Sequence, residues 1–237
     1  MKKVMSLGLS LLLLCSLPLR ALAENETPAE TAAEEAPSEN TAEDTTAAEA
    51  GSIFDLLNDS HMDYQIDLAG YYLKEMYDAA VAGDIEAGRE AEKNRNEQID
   101  KTLSDEAKLS FDDLYLLAKL ICSEAGCDWL SDSFRMCVGE VALNRVASPE
   151  YPNTLREVVY QKDQYVSVSS AGFESLVPTE PCVDAALRLL QGERKMVESV
   201  VFQSNTIQGE LFTMFTDRKL GNTYFCLSTN QDLYPIN

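Results

Sequence analysis

The chain has 237 residues, a formal net charge of −21, six cysteines and a single histidine. That length holds one domain of ordinary size with further segments around it. The acidic balance argues against nucleic acid, which needs a basic contact surface, and it offers no attraction toward an anionic wall polymer, so such a substrate would have to be held in a groove by hydrogen bonds and stacking.

Residues 1–23, MKKVMSLGLSLLLLCSLPLRALA, read as a secretory signal. Lys2 and Lys3 supply the positive start and Ala21-Leu22-Ala23 a small-residue cleavage pattern. The apolar stretch Leu7 to Leu19 falls short of the ~20 residues of a membrane span. The expectation is an exported, wall-associated protein with no membrane contact after cleavage. Residues 24–50 hold nine acids, no Lys or Arg and almost no large apolar side chain. They cannot bury a core and are expected to form a disordered, extended tether. Beyond the signal lie Cys122, Cys127, Cys137, Cys182 and Cys226. Export permits disulfides, yet five is odd, so at least one thiol stays free or pairs between chains. Cys122 or Cys127 is a candidate for a bridge that fixes the loop after Glu124.

Residues 51–107 are expected to form a helical hairpin. Ile66, Ala69, Leu73, Met76, Tyr77 and Ala80 share one face of a first helix. Gly83-Asp84 breaks it, and Asp84 offers an N-cap to a second, highly charged helix that runs to about Leu103. Such a pair has too few apolar positions for its own core and should dock on the C-terminal domain. His61, ahead of the first helix, reads as a surface or cap residue.

From residue 108 the texture changes. Asp112 or Asp113 is expected to cap a helix ending near Glu124, with a loop from Ala125 to Ser131. A helix from about Asp132 to Val146 turns Phe134, Cys137, Val138, Val141 and Ala142 inward. A short helix spans Thr154 to Tyr160, and Tyr165-Val166-Ser167-Val168 alternates as a strand would. Pro181 to Leu190 is helical and stops near Gly192. Ser199–Ser204, Leu211–Thr216 and Thr223–Leu227 read as short strands. Helices first and a small antiparallel sheet later make an α+β pattern.

No histidine occurs in residues 111–237. Ser-His-Asp, Cys-His and zinc peptidase chemistry all need imidazole, and only the distant His61 could supply one. Neither GxxxxGK[ST] nor GxGxxG is present, so nucleotide use is not expected. No metal or cofactor is expected. Carboxylate remains for acid–base work, and Glu124 is the best placed. Leu114, Leu117 and Ile121 recur at helical spacing, and the next step on that face is Glu124, after which Gly126 ends the run. Desolvation there raises a carboxyl pKa and keeps it protonated near neutrality, as a general acid for glycosidic cleavage requires. A hydrolase would need a second carboxylate; Asp128, Asp132 and Glu140 are the nearby ones, although Asp132 reads as a helix cap and Glu140 as a helix-flank residue. Trp129, the only tryptophan, reads as a sugar platform or a core plug, with the core favoured.

LLAKLICSEAG, then VGEVALNRVASPEYPNTLREVVYQKDQY, VVFQSN and LGNTYFC, in order from about Asp113 to Cys226, resemble the SleB-type cell wall hydrolases, the spore-cortex-lytic enzymes and their relatives. The resemblance implies a lysozyme-like α+β domain over residues 108–237 that cleaves the glycan strand of peptidoglycan between N-acetylmuramic acid and N-acetylglucosamine. It implies a catalytic glutamate in the Glu-Ala segment, which Glu124 matches. It places Gln164 and Tyr165 near a substrate groove, with Tyr165 able to stack on a sugar face, and makes Asn205 and Tyr224 similar substrate-binding candidates. Gly126-Cys127-Asp128 departs from the commoner Gly-Glu of the family, with Asp128 standing in for the second acid or capping the next element. The helical pair and acidic tether stand where spore enzymes carry a peptidoglycan-binding repeat, so a general wall-remodelling role fits as well as cortex lysis. Two other readings remain: a non-catalytic wall-binding module of the same fold, and an adaptor whose helical pair docks a partner.

Overall fold

The structure is a computed structural model that describes residues 64–102 and 108–234. The expected signal, acidic tether and His61 lie outside the described residues.

Helix α1 (Tyr64–Ala82) and α2 (Ile85–Thr102) form the anticipated hairpin. Ala69, Leu73, Met76 and Ala80 of α1 are buried at three- and four-residue spacing. The reversal needs a left-handed residue, and Gly83 supplies it at φ +72°. Asp84 Oδ1 then accepts the N–H of Ala87 at 3.0 Å, capping α2. Because α2 is mostly polar, its attachment comes from few points. Glu92 Oε2 accepts the N–H of Phe111 at 2.9 Å, and Arg89 pairs with Asp112. The hairpin therefore docks on the start of the next helix, and the Phe111 ring is fully buried there.

Helix α3 (Phe111–Ala125) is capped by Ser110, whose side chain accepts the Asp113 N–H. The expected caps Asp112 and Asp113 instead sit in the first turn, where their charge still complements the exposed N–H groups. Helix α4 (Asp132–Ala147) likewise starts from Ser131 rather than from Asp132, and α5 (Leu155–Val159) from Thr154. In both corrections the serine stands directly ahead of the first helical residue, where its hydroxyl meets the N–H three residues on, and the aspartates fall inside the first turn. The segment expected as a strand at Tyr165–Val168 is a 3-10 turn, Val166–Ser169. Its N–H groups bond locally, Val168 to the Tyr165 carbonyl and Ser170 to that of Ser167, so they make no sheet ladder. A one-turn helix α6 (Ala171–Glu174), not anticipated, comes next. Helix α7 (Glu180–Leu190) precedes the sheet, β1 (Val200–Ser204), β2 (Leu211–Asp217) and β3 (Gly221–Leu227). The sheet is antiparallel with β3 in the middle. The α+β order is as the sequence indicates, seven α-helices ahead of three strands among the described residues.

Helix α3 runs through the centre. Its Leu114, Leu117, Ala118, Leu120 and Ile121 are buried in a first core with α1, α5 and α7. A second core lies between α4 and the sheet, where Phe134, Val138 and Val141 meet Val200 and Phe225. Fully burying one such side chain contributes about 1.5–3 kcal/mol. Ile121 belongs to the first core and Ala125 to the second. Glu124 therefore stands at the seam between them.

Candidate active site

The last turn of α3 carries Glu124 inward because the apolar stripe before it fixes the helix rotation. Only 4 % of the residue is exposed. Gly126 ends the helix where a Cβ would lie 2.3 Å from the Cys122 carbonyl oxygen, so a larger residue could not make this exit. Ser167, on the 3-10 turn, donates its hydroxyl to Glu124 Oε1. Ser123 Oγ lies 3.1 Å from Ser167 Oγ and also donates to the Leu120 carbonyl, which links the turn to α3. Burial pushes the Glu124 carboxyl up to about 7, against the opposing pull of the Ser167 hydroxyl and the Arg145 charge. At neutral pH this acid is divided between its protonated and ionised forms.

Arg145, near the end of α4, is buried and held from three sides. Its Nε donates to the Val201 carbonyl at 2.8 Å, and its guanidinium lies 5.2 Å from the ring centroids of both Tyr151 and Tyr165. Sheet, helix and turn thus converge on one cation next to one carboxyl. Tyr165 is buried with them, and its hydroxyl makes no hydrogen bond of normal geometry. Burial raises the Tyr165 pKa, Arg145 lowers it and Glu124 raises it, which places all three in one electrostatic environment.

The other substrate-binding candidates are spread out. Tyr165 is an interior residue and offers no exposed ring face for a sugar. Gln164 is partly buried just before it, with its N–H bonded to the Gln161 carbonyl. Asn205 is exposed directly after β1, and Tyr224 pairs with Ser204 across β3, so these two are neighbours at one end of the sheet. Tyr224 accepts a hydrogen bond from Asn222 at 3.0 Å. Asp128 is exposed on the loop after α3. Trp129 corrects the favoured reading: it is 48 % exposed and plugs no core. Arg135 holds the loop by its bond to the Cys127 carbonyl, while Asp132, in the first turn of the same helix, pairs with its guanidinium. Leu130 fills the second core in Trp129's place, which turns the indole outward. The indole lines a hollow of about 210 Å³ with Phe215, Asp217 and Leu220, and Lys219 Nζ sits 3.7 Å from its ring centre. Glu124 does not line this hollow.

Asp132 and Glu140, the other acids considered as a second carboxylate, both have partners in the fold. Asp132 is exposed and paired with Arg135. Glu140 is fully buried and accepts the N–H groups of Lys195 and Met196 at 2.8 and 3.0 Å, a structural post for the segment after α7. Sequence reasoning missed Ser167, since the alternation around it signals a strand rather than a turn. Among the described residues no group of three or more His, Cys, Asp or Glu is placed to hold a metal ion. No described helix is long and apolar enough to cross a membrane.

No curated protein and no solved structure matches the chain. The family match begins at Ser131, so Glu124, Asp128 and Trp129 lie just ahead of it, while Arg145, Gln164, Tyr165, Ser167, Asn205 and Tyr224 fall inside. Over residues 131–226, from the cap of α4 to Cys226 of β3, the chain matches the family described as Cell Wall Hydrolase, the family its motifs resemble.

Proposed function

We propose that the protein is an exported enzyme that cleaves the glycan strand of peptidoglycan with Glu124 as its general acid and base. The observation that carries this reading is a carboxyl shielded by two apolar cores, raised to about 7 by burial and touched by a serine hydroxyl. A group of that kind can give a proton to a glycosidic oxygen at neutral pH and take one back. In the forward step Glu124 protonates the oxygen between N-acetylmuramic acid and N-acetylglucosamine. The resulting carboxylate then accepts the proton of the muramic 6-hydroxyl as that oxygen closes on C1. This transglycosylase route needs one carboxylate, and Arg145 is the charged group that acts on Glu124. A hydrolase would place a second carboxyl about 5 Å away as nucleophile, or about 6.5–9.5 Å away as base; Asp132 and Glu140 are engaged elsewhere, which leaves the exposed Asp128 as the candidate for that route.

Purified sacculi provide the test. The parent enzyme is expected to release muropeptides ending in anhydro-muramic acid, and Glu124→Gln is expected to release none. Reducing ends would redirect the mechanism to hydrolysis. Equal release by parent and variant would remove Glu124 from the chemistry, and binding to sacculi without any release would favour the wall-binding module.

A further inference from the structure

Four thiols are free among the described residues, Cys122, Cys137, Cys182 and Cys226. Two of them meet. Cys122 lies in the last turn of α3, two residues before Glu124, and Cys182 in the first turn of α7. Their side chains are hydrogen-bonded to each other. Thr179, the cap of α7, adds a bond from its hydroxyl to Cys182 Sγ at 3.2 Å. Of the two cysteines expected near a bridge beside Glu124, Cys127 is disulfide-bonded, whereas Cys122 is free and makes a thiol contact across two helices. The sequence could not have shown it, because 60 positions separate the partners.

We propose that Cys122 and Cys182 are the site of a disulfide that ties the turn carrying Glu124 to the start of α7. The two thiols have unequal roles in forming it. Cys182 is fully buried, whereas Cys122 is partly exposed. The hydrogen bond from Cys182 lowers the Cys122 pKa to about 6, and the Cys182 pKa is raised. Cys122 is accordingly the thiolate that meets an oxidant first. It attacks one sulfur of a small-molecule disulfide; that S–S bond breaks, and the departing thiolate takes up a proton. Cys182, giving up its proton to solvent, then attacks the Cys122 sulfur of the mixed disulfide and expels the second thiolate, which is protonated in turn. The net change converts two protein thiols and one external disulfide into one protein disulfide and two external thiols.

The bond would close a long loop that holds α4, α5 and the Ser167 turn. Removing such a constraint commonly costs a chain of this size about 4–16 °C in Tm. The purified full chain is equilibrated with oxidised glutathione, alkylated without reduction, digested and mapped by mass. A cross-linked peptide pair joining Cys122 to Cys182 is expected. Cys122→Ser and Cys182→Ser should each lower the Tm of the oxidised protein to that of the reduced parent and abolish its response to reductant, while Cys226→Ser should keep that response. Alkylation of both Cys122 and Cys182 after oxidation, or a bridge from Cys122 to Cys127, overturns the proposal. Neither readout involves a wall substrate, so the disulfide and the role of Glu124 stand or fall separately.

Discussion

Glu124→Gln should stabilise the protein while it abolishes cleavage, and the gain should depend on pH in a way fixed by the structure. In the folded chain the carboxyl ionises at about 7; its ordinary value is 4.5. Between those values the unfolded chain loses this proton and the folded chain keeps it. The folded state then binds more protons, so stability falls as pH rises from 4.5 through 7 and levels off above. At about 1.4 kcal/mol per unit, the loss amounts to about 3 kcal/mol. Gln keeps an oxygen for the Ser167 hydroxyl and cannot ionise, so the variant escapes the loss. Urea unfolding of parent and variant at pH 4 and pH 8 measures the effect. The two should match at pH 4, and the variant should exceed the parent by about 3 kcal/mol at pH 8. Stability profiles that stay parallel across this range would refute the claim that burial raises this carboxyl. A variant weaker than the parent at pH 8 would show that the charged form is the favoured one in the fold.

Ser167→Ala removes a hydroxyl that favours the ionised form of Glu124. A hydrogen bond to a charged group contributes about 1.5–3 kcal/mol, so the alkaline limb of kcat/KM against pH should move up by about one unit or more; a limb that stays put or moves down would separate Ser167 from the acid. Glu140→Gln keeps one acceptor but turns an amide N–H₂ toward a backbone N–H, either that of Lys195 or that of Met196. It should cost about 2–3 kcal/mol of stability and leave the pH profile of the folded fraction unchanged, whereas a shifted profile would bring Glu140 back as a second catalytic carboxyl.

Much of this arrangement is legible in the residues. The helix faces at Leu73, Met76 and Ala80, and at Leu114, Leu117 and Ile121, come through because burial on one side imposes a period that the sequence records. Glu124 stands out by the same pattern, as the polar residue where an apolar one is due. The failures have a common cause in groups that act across long separations. Residue type alone favours Trp129 for the core, but whether Leu130 or Trp129 turns inward depends on Arg135 clasping the Cys127 carbonyl from the next helix. The pairing of Cys122 with Cys182 depends on how α3 packs on α7, which no local pattern encodes.

The turn at Val166–Ser169 shows how one such failure bears on the chemistry. Tyr165, Ser167 and their neighbours alternate apolar and polar, a pattern that a half-buried strand and a tight turn over a core can share across so few residues. Val168 and Tyr165 both need burial. As an edge strand, the segment would have exposed a row of backbone groups. As a 3-10 turn it satisfies them locally, drops both side chains into the core, and leaves the intervening Ser167 hydroxyl above the end of α3. The same change of backbone puts the Tyr165 ring against Arg145 rather than out in solvent. The turn therefore sets Ser167 on Glu124 and Tyr165 on Arg145 at once, so both members of the charged pair depend on the same four residues of backbone.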